Sequence, residues 1–156
     1  MPGTWRSSLK KVKESKLDLL PAVYKTPERE NTLVFSKPYY HPSPYYFTET
    51  NSTLTPNTDI SQYKIALVKG NAASEAVIKN YPTIQVTYAE TIAQAIHLLT
   101  NKEVDLIAGA LSVVNYEIAQ KNITNIRKLK PAIDASIKGL HIAVRPEYQP
   151  IIPIIN

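Results

Sequence analysis

The chain has 156 residues, of which 44% are hydrophobic and 20% charged, and its formal net charge is +5. This length suits one domain or two small lobes. The sequence contains no cysteine, which excludes disulfides, thiol catalysis and cysteine-based zinc sites. No apolar run approaches the ~20 residues of a membrane-spanning helix, and the first residues show no signal-peptide pattern.

The N-terminal segment predicts an amphipathic helix with one basic face. Trp5, Leu9 and Val12 follow a spacing of i, i+4 and i+7, which places them on one side of a helix. The lysines at positions 10, 11, 13 and 16 cover the other side. A basic surface can attract nucleic acid, phosphate or an anionic membrane. We favour a solvated helix face, because no nucleic-acid-binding motif accompanies the charge.

An apolar strand at 17–23 then leads into a polar turn that carries Thr26 and Arg29. A near-continuous apolar run of this length is typical of a parallel strand covered on both sides. A second short strand is predicted at 33–35. Residues 38–48 contain three prolines and four tyrosines, so we expect an extended segment there.

Regular alternation of strands and helices follows a polar loop at 51–59. Strands are predicted at 64–68, 84–88, 104–108, 126–129 and 140–144, and helices at 72–80, 91–101 and 113–121. Asn71 and Ser112 are the predicted caps of the first and third of these helices. This alternation indicates parallel α/β architecture, and the extended connector before it indicates two lobes.

Two parts of the sequence carry a recognisable pattern. In the first, Asp18 lies near the start of the apolar strand, and Thr26-Pro27-Glu28-Arg29 and Phe35-Ser36-Lys37-Pro38-Tyr39 follow it. The second consists of three segments, Ile65–Gly70, Glu103–Gly109 and Leu140–Arg145. Together they resemble the type II periplasmic solute-binding proteins of the amino-acid-binding class, over nearly the whole chain.

The resemblance implies a two-lobed α/β clamshell, with parallel-rich sheets and flanking helices, that closes on its ligand by a hinge motion. Residues 1–41 and 142–156 would form lobe 1, residues 42–48 and 136–141 the hinge crossovers, and residues 49–135 lobe 2. Lobe 1 is expected to be incomplete, because the family's first strand and helix precede the matching segment and the chain ends within the family's closing helix.

The family further implies an extracytoplasmic, periplasmic module that holds an anionic or amino-acid-like solute between its lobes. Its partners would be a small-molecule carboxylate or amino-acid-like ligand and either a membrane transporter or a fused kinase or cyclase, but no nucleic acid. We expect no cofactor, metal or enzymatic activity, because the three histidines lack metal-ligand spacing and no catalytic motif is present.

Three candidate ligand-binding residues lie in the first block. By the resemblance, Arg29 would hold a ligand carboxylate through its planar fork of donors. The alternative is a surface arginine paired with Glu28 or Glu30. Thr26 offers a hydroxyl to the ligand or a bond to its own backbone. Tyr24 stands where the family often has Ser or Thr, so its ring either contacts the ligand or is an ordinary half-buried tyrosine.

The other candidates lie in the second block. Gly70, Asn71 and Ala72 would form a turn into a helix, whose first N–H groups attract anions. Amino-acid binders of this class usually have Asp directly after the glycine that ends the next strand, whereas Ala110 follows Gly109 here. Because a buried ammonium needs an anionic partner, this residue favours a dicarboxylate, another anion, a peptidoglycan fragment or no ligand at all over a standard amino acid.

Two other classes of function remain open at this point. Some lytic transglycosylases carry a similar N-terminal module, and a few dehydratases use the same fold, so the chain could be the regulatory or substrate-binding part of a cell-wall enzyme. A nucleic-acid-binding domain is suggested only by the positive charge.

Overall fold

The structure is a computed structural model that describes residues 5–41, 44–132 and 139–156. Eight strands are numbered in chain order: β1 Leu19–Tyr24, β2 Val34–Phe35, β3 Pro44–Glu49, β4 Lys64–Val68, β5 Gln85–Ala89, β6 Leu106–Ala110, β7 Ile126–Pro131 and β8 Leu140–Val144. Six helices are α1 Trp5–Lys13, α2 Pro27–Glu30, α3 Ala72–Asn80, α4 Ile92–Thr100, α5 Leu111–Gln120 and α6 Ile152–Ile155. Short 3-10 helices occupy Ile60–Gln62 and Pro146–Ile151.

The chain divides into two compact units. Unit 1 comprises Met1–Pro42 and Ala135–Asn156, and unit 2 comprises Ser43–Asp134. Of the predicted hinge crossovers, residues 44–48 lie in β3 and residues 140–141 begin β8, whereas residues 42, 43 and 136–138 lie outside the described residues. The hinge assignment therefore stays a prediction.

Unit 1 has a three-stranded sheet in the order β1-β8-β2, and both pairings are antiparallel. The expectation that the 17–23 strand lies in a parallel, doubly covered sheet is therefore wrong. Only one face of β1 is buried, since Leu20 and Val23 join the core while Leu19 is 45% exposed. Leu9 and Val12 of α1 pack on this face, which confirms two of the three predicted apolar positions of the helix. The side chain of the third, Trp5, lies outside the described part of the structure.

Unit 2 has a five-stranded mixed sheet in the order β5-β4-β6-β3-β7. Strands β5, β4 and β6 run parallel to one another, whereas β3 runs antiparallel to both β6 and β7. Side chains alternate between two cores: Ile65 and Leu67 face α3 through Val77, and Ala66 faces α4 and α5 through Ile96 and Val114. The sheet is thus covered on both sides, as its apolar strands predict.

Local side chains explain where two helices of unit 2 begin. The Asn71 side chain accepts a hydrogen bond from the backbone N–H of Ala73 at 2.9 Å, which confirms the predicted cap of α3. Thr91 Oγ1 accepts one from the N–H of Gln94 in the same way at α4. The predicted cap at Ser112 is wrong, because α5 starts at Leu111 and Ala110 occupies its cap position without a side-chain bond.

Candidate functional site

In unit 1 the candidate residues lie where β1 ends. Tyr24 is the last residue of the strand, and Thr26 is the cap residue of α2, with extended dihedral angles of φ −131° and ψ 154°. Pro27 follows at the first helical position, which suits its fixed φ. The carbonyl of Thr26 accepts hydrogen bonds from the N–H groups of Arg29 and Glu30, both at 3.0 Å. One tight helical turn therefore fixes the position of Arg29.

The guanidinium of Arg29 lies inside the unit and not on its surface. The residue is 6% exposed, and its Nη1 donates a hydrogen bond to the main-chain carbonyl of Tyr24 at 2.9 Å. The neighbouring Glu30 pairs with Lys25 at 2.7 Å. The buried guanidinium keeps its positive charge, because an arginine does not deprotonate in a protein.

Thr26 and Tyr24 bring two further polar groups to this segment. Thr26 Oγ1 is buried and has no hydrogen-bond partner among the residues that the structure describes. Tyr24 is half-buried, and this burial, with a smaller contribution from the neighbouring Tyr40, raises the pKa of its phenol to about 12. An unpartnered buried hydroxyl costs stability unless a ligand or water satisfies it. In this segment, Thr26 Oγ1 is therefore the group that a bound ligand or water molecule would stabilise.

In unit 2 the candidates lie at the carboxyl ends of the parallel strands. Gly70 follows β4 and has a positive φ of 70°, which a β-turn requires at its third residue. Asn71 caps α3 and Ala72 is its first residue. Ala110 ends β6, the strand next to β4, and is half-buried.

Three helices begin at this same edge of the sheet. Strands β4, β5 and β6 are parallel, and α3, α4 and α5 start within a few residues of their respective ends. Each helix directs its first N–H groups and a partial positive charge toward the space beyond the strand ends. Open α/β sheets bind their ligands at this edge. The edge therefore suits an anionic group.

Asp105 lies at the opposite end of unit 2. Its Oδ2 accepts a hydrogen bond from the N–H of Lys64 at 2.8 Å, and its own N–H donates to the carbonyl of Lys64 at 2.9 Å. Both residues are at the amino ends of their strands. A pocket of about 360 Å³ adjoins Asp105 and includes Glu49 and Lys102 in its lining. These bonds indicate a structural role for Asp105.

Cofactor chemistry receives no support from the described part of the chain. Within the described ranges, no cluster of three or more histidine, aspartate or glutamate residues could hold a metal ion. His97 Nδ1 lies 3.2 Å from the side-chain amide of Asn101, and the buried His141 Nδ1 lies 2.6 Å from the carbonyl of Ser36. A search of these same residues finds no helix both long and apolar enough to cross a bilayer.

The chain is similar to several known proteins in sequence and in structure. No family model matches it. The virulence sensor protein BvgS of Bordetella pertussis is 20% identical over 153 residues, which are 98% of this chain and 12% of BvgS. The chain thus spans about an eighth of this curated relative.

Two solved structures match nearly the whole of this chain. An arginine 3rd transport system periplasmic binding protein from Legionella pneumophila has a TM-score of 0.85 and 22% identity, covering 100% of this chain and 71% of that one. A histidine kinase sensor domain with similarity to periplasmic binding proteins has a TM-score of 0.87 and 20% identity, covering 96% of this chain and 65% of that one. The chain therefore has the two-lobed fold of the type II periplasmic binding proteins, which confirms the predicted fold class.

The structure groups the seven predicted site residues into two sets. Tyr24, Thr26 and Arg29 lie together in unit 1, and Gly70 to Ala72 with Ala110 lie at one sheet edge in unit 2. Their role in binding stays a prediction. Sequence reasoning missed helix α2, although Pro27 directly after Thr26 is the usual pattern of a helix start.

Proposed function

We propose that the chain is the ligand-binding module of an extracytoplasmic receptor, without catalytic activity, which recognises a small solute through a carboxylate group. The observation that carries this proposal is the buried guanidinium of Arg29, placed at the end of β1 by a bond to Tyr24. Planar bidentate recognition of a carboxylate is the chemistry that arginine performs best. That the ligand lies between the two units is predicted by the family resemblance.

The relatives favour a sensor or a transport receptor as the wider role. BvgS and the histidine kinase domain are named as sensors, and the Legionella protein is named as part of an arginine transport system. We therefore propose a location outside the cytoplasmic membrane and, as partner, a membrane transporter or a kinase or cyclase in the same polypeptide. Among these we favour sensing, because Ala110 departs from the amino-acid binders used in transport.

A thermal-shift screen of the full chain tests the proposal. The panel contains organic acids, amino acids and muropeptides, with neutral sugars as the comparison set. A ligand that binds only the folded chain at 100 times its Kd stabilises it by about 2.7 kcal/mol and raises its melting temperature. We expect carboxylates to raise the melting temperature and sugars to leave it unchanged.

Calorimetry on two variants then tests the role of Arg29 with the best carboxylate. Arg29→Ala should cost about 2–5 kcal/mol, which weakens binding more than tenfold. Lys25→Ala is the matched control, since Lys25 is an exposed cation in the same segment. Circular dichroism establishes that both variants are folded. Equal affinity of a folded Arg29→Ala variant, or stabilisation by no carboxylate, would contradict the proposal.

A further inference from the structure

We propose that the outer side of α1, together with the turn that follows this helix, docks on an anionic lipid bilayer. This basic face consists of Arg6, Lys10, Lys11, Lys13 and Lys16, all of which are exposed. The choice of a lipid surface as partner rests on the proposed extracytoplasmic location. The basic face itself belongs to unit 1 alone and does not depend on which solute the chain binds.

The positive charge of the chain is concentrated in this one segment. Residues 5–16 contain five basic residues and a single acidic one, Glu14. The whole chain has 18 basic and 13 acidic residues, so all other positions together carry 13 and 12. Four of the five formal net positive charges therefore lie in a short segment, and the rest of the chain is close to neutral.

The packing of α1 directs this charge toward solvent. Leu9 and Val12 pack with the core of unit 1, so the helix contacts its sheet through its apolar side. The chain leaves the helix through Ser15, which has a positive φ of 58°. The N–H of Lys16 then donates a hydrogen bond to the carbonyl of Lys11 at 2.8 Å. This bond keeps Lys16 beside the last turn of α1, where it extends the basic face.

The basic face is only partly neutralised by its own segment. Lys10 and Lys16 both pair with Glu14, at 3.6 and 2.8 Å, so one carboxylate is shared by two ammonium groups. The other three basic residues of the face form no ion pair with any residue that the structure describes. Most of the charge is therefore available to an external partner.

Two carboxylates of other segments lie near the end of the helix, and a guanidinium engages both. Glu147 lines the same depression of about 240 Å³ as Lys13, and it pairs with Arg145 at 3.1 Å. Asp18 pairs with the same guanidinium at 2.8 Å. These three groups have a net charge of −1, whereas residues 5–16 have a net charge of +4. The region therefore keeps a clear excess of positive charge.

A bilayer fits the composition of this face better than a nucleic acid does. Four of its five cations are lysines, which act as point charges, whereas bidentate recognition of individual phosphates favours arginine. The described side chains of α1 include no aromatic ring on which a base could stack. Leu17, directly after Lys16, is 37% exposed and adds an apolar side chain next to the cations, as interfacial segments do.

Vesicle sedimentation with the full chain tests the proposal. Vesicles that mix phosphatidylglycerol with phosphatidylcholine are compared with vesicles of phosphatidylcholine alone. We expect binding only to the anionic vesicles, and loss of that binding between about 0.1 M and about 1 M salt, where the Debye length falls from about 10 Å to about 3 Å. No binding, equal binding to both vesicles or binding that resists salt would overturn the proposal.

Two double variants show whether the basic face is the contact surface. Each lysine near an anionic bilayer strengthens binding by about fivefold, so Lys11→Gln with Lys13→Gln should weaken it by about 25-fold. The control is Lys79→Gln with Lys121→Gln, which removes two exposed lysines from unit 2 and changes the net charge equally. Circular dichroism establishes that both variants are folded. Equal losses in the two variants would overturn the assignment to α1.

Glu14→Gln supplies a test that a misfolded protein could not pass. It removes the only carboxylate of residues 5–16 and frees Lys10 and Lys16, so binding to the anionic vesicles should become about fivefold tighter. Unchanged or weaker binding would contradict the proposal. Fluorescence anisotropy with a DNA duplex provides the remaining comparison, and binding to the duplex but not to the vesicles would overturn the choice of lipid. The thermal-shift screen with carboxylates decides the proposed receptor function independently of these results.

Discussion

Arg29 Nη1 donates a hydrogen bond of 2.9 Å to the main-chain carbonyl oxygen of Tyr24, five residues earlier in the chain. This bond connects the single turn of α2 to the last residue of β1. The N–H of Leu33 in turn donates to the carbonyl of Arg29 at 2.9 Å, just before β2. Arg29 therefore links two strands of unit 1 in addition to its proposed role in binding.

Arg29→Met should destabilise the chain by about 1.5–3 kcal/mol. The substitution keeps an apolar side chain of similar length but leaves the Tyr24 carbonyl without its charged donor, and bonds to charged groups contribute about this amount. Urea denaturation followed by circular dichroism measures the change. Arg6→Met is the control, because Arg6 is exposed on α1 and surface substitutions change stability by about 0.5 kcal/mol or less. Equal effects of the two substitutions would contradict a structural role for Arg29.

The cap of α3 gives the second prediction. Asn71→Ala removes the acceptor for the N–H of Ala73 and should cost about 0.5–2 kcal/mol. Asn71→Ser retains a capping oxygen and should cost much less. The same denaturation experiment compares the two. A loss as large for serine as for alanine would show that capping is not the reason why this residue stabilises the helix.

Gly139 gives the third prediction, at the entry to β8. Its φ is +69°, and an added Cβ would lie 2.7 Å from Pro38 Cβ and 3.0 Å from the Tyr40 carbonyl oxygen. The left-handed conformation costs an L-residue about 1–2 kcal/mol, and overpacking costs about 1–3 kcal/mol more. Gly139→Ala should therefore lower the melting temperature markedly.

Gly109→Ala serves as the comparison for Gly139→Ala. The Cβ it adds meets only two side-chain methyl groups, Ile92 Cδ1 and Val114 Cγ2, and the position has no positive φ. Side-chain ends can move, whereas the backbone at Tyr40 cannot do so without disturbing its bridge to Leu140. We expect the smaller loss at Gly109. The reverse order in differential scanning calorimetry would show that backbone strain is not decisive at Gly139.

The sequence predicted those parts of the fold that depend on residues close together in the chain. Helix α3 occupies the predicted residues 72–80, because Asn71 caps it and its apolar positions repeat with the helical period. The end of β6 was predicted one or two residues too early, at 108–109, since glycine is usually a breaker and Gly109 instead continues the strand to Ala110.

Features that depend on distant residues could not be read from the sequence. Strand β1 pairs with β8, some 120 residues later, and an apolar run does not reveal whether its partner is parallel or antiparallel. The sequence also did not predict the burial of Arg29, because its neighbours Glu28 and Glu30 suggested a surface ion pair. Glu30 pairs with Lys25. Only the placement of α2 against β1 shows that Arg29 lies inside.

The fourth prediction concerns stability at alkaline pH. Burial, with a smaller contribution from Tyr40, raises the pKa of Tyr24 from about 10 in the unfolded chain to about 12 in the folded one. The folded chain therefore retains the proton of Tyr24 at a higher pH than the unfolded chain does. The contribution of this phenol to stability is complete below pH 10 and is lost as the pH rises toward 12. Tyr24→Phe should reduce the loss of stability between pH 10 and 12. Denaturation midpoints at pH 8, 10 and 11 measure it, and unchanged slopes in the variant would contradict the assignment.

Tyr46 gives the last prediction, which concerns its hydroxyl group. The residue is 2% exposed in the core of unit 2, and its Oη is buried without a hydrogen-bond partner in the described part of the chain. Burial, together with the nearby Tyr81, raises the pKa of this phenol well above its usual range. A buried hydroxyl without a partner costs about 1–3 kcal/mol. Tyr46→Phe removes that cost and keeps the ring, which packs edge to face against Tyr81 with centroids 6.5 Å apart.

We therefore expect Tyr46→Phe to raise the free energy of unfolding at pH 8, and to raise it further at pH 11, where the unfolded chain would otherwise gain by ionising this phenol. Tyr63→Phe is the control, since Tyr63 lies at the margin of the same core and is only partly buried. Urea denaturation at both pH values compares the two variants. A loss of stability in Tyr46→Phe at pH 8 would mean that the hydroxyl has a bound water or other partner that stabilises it, because only a satisfied hydroxyl contributes favourably in a core.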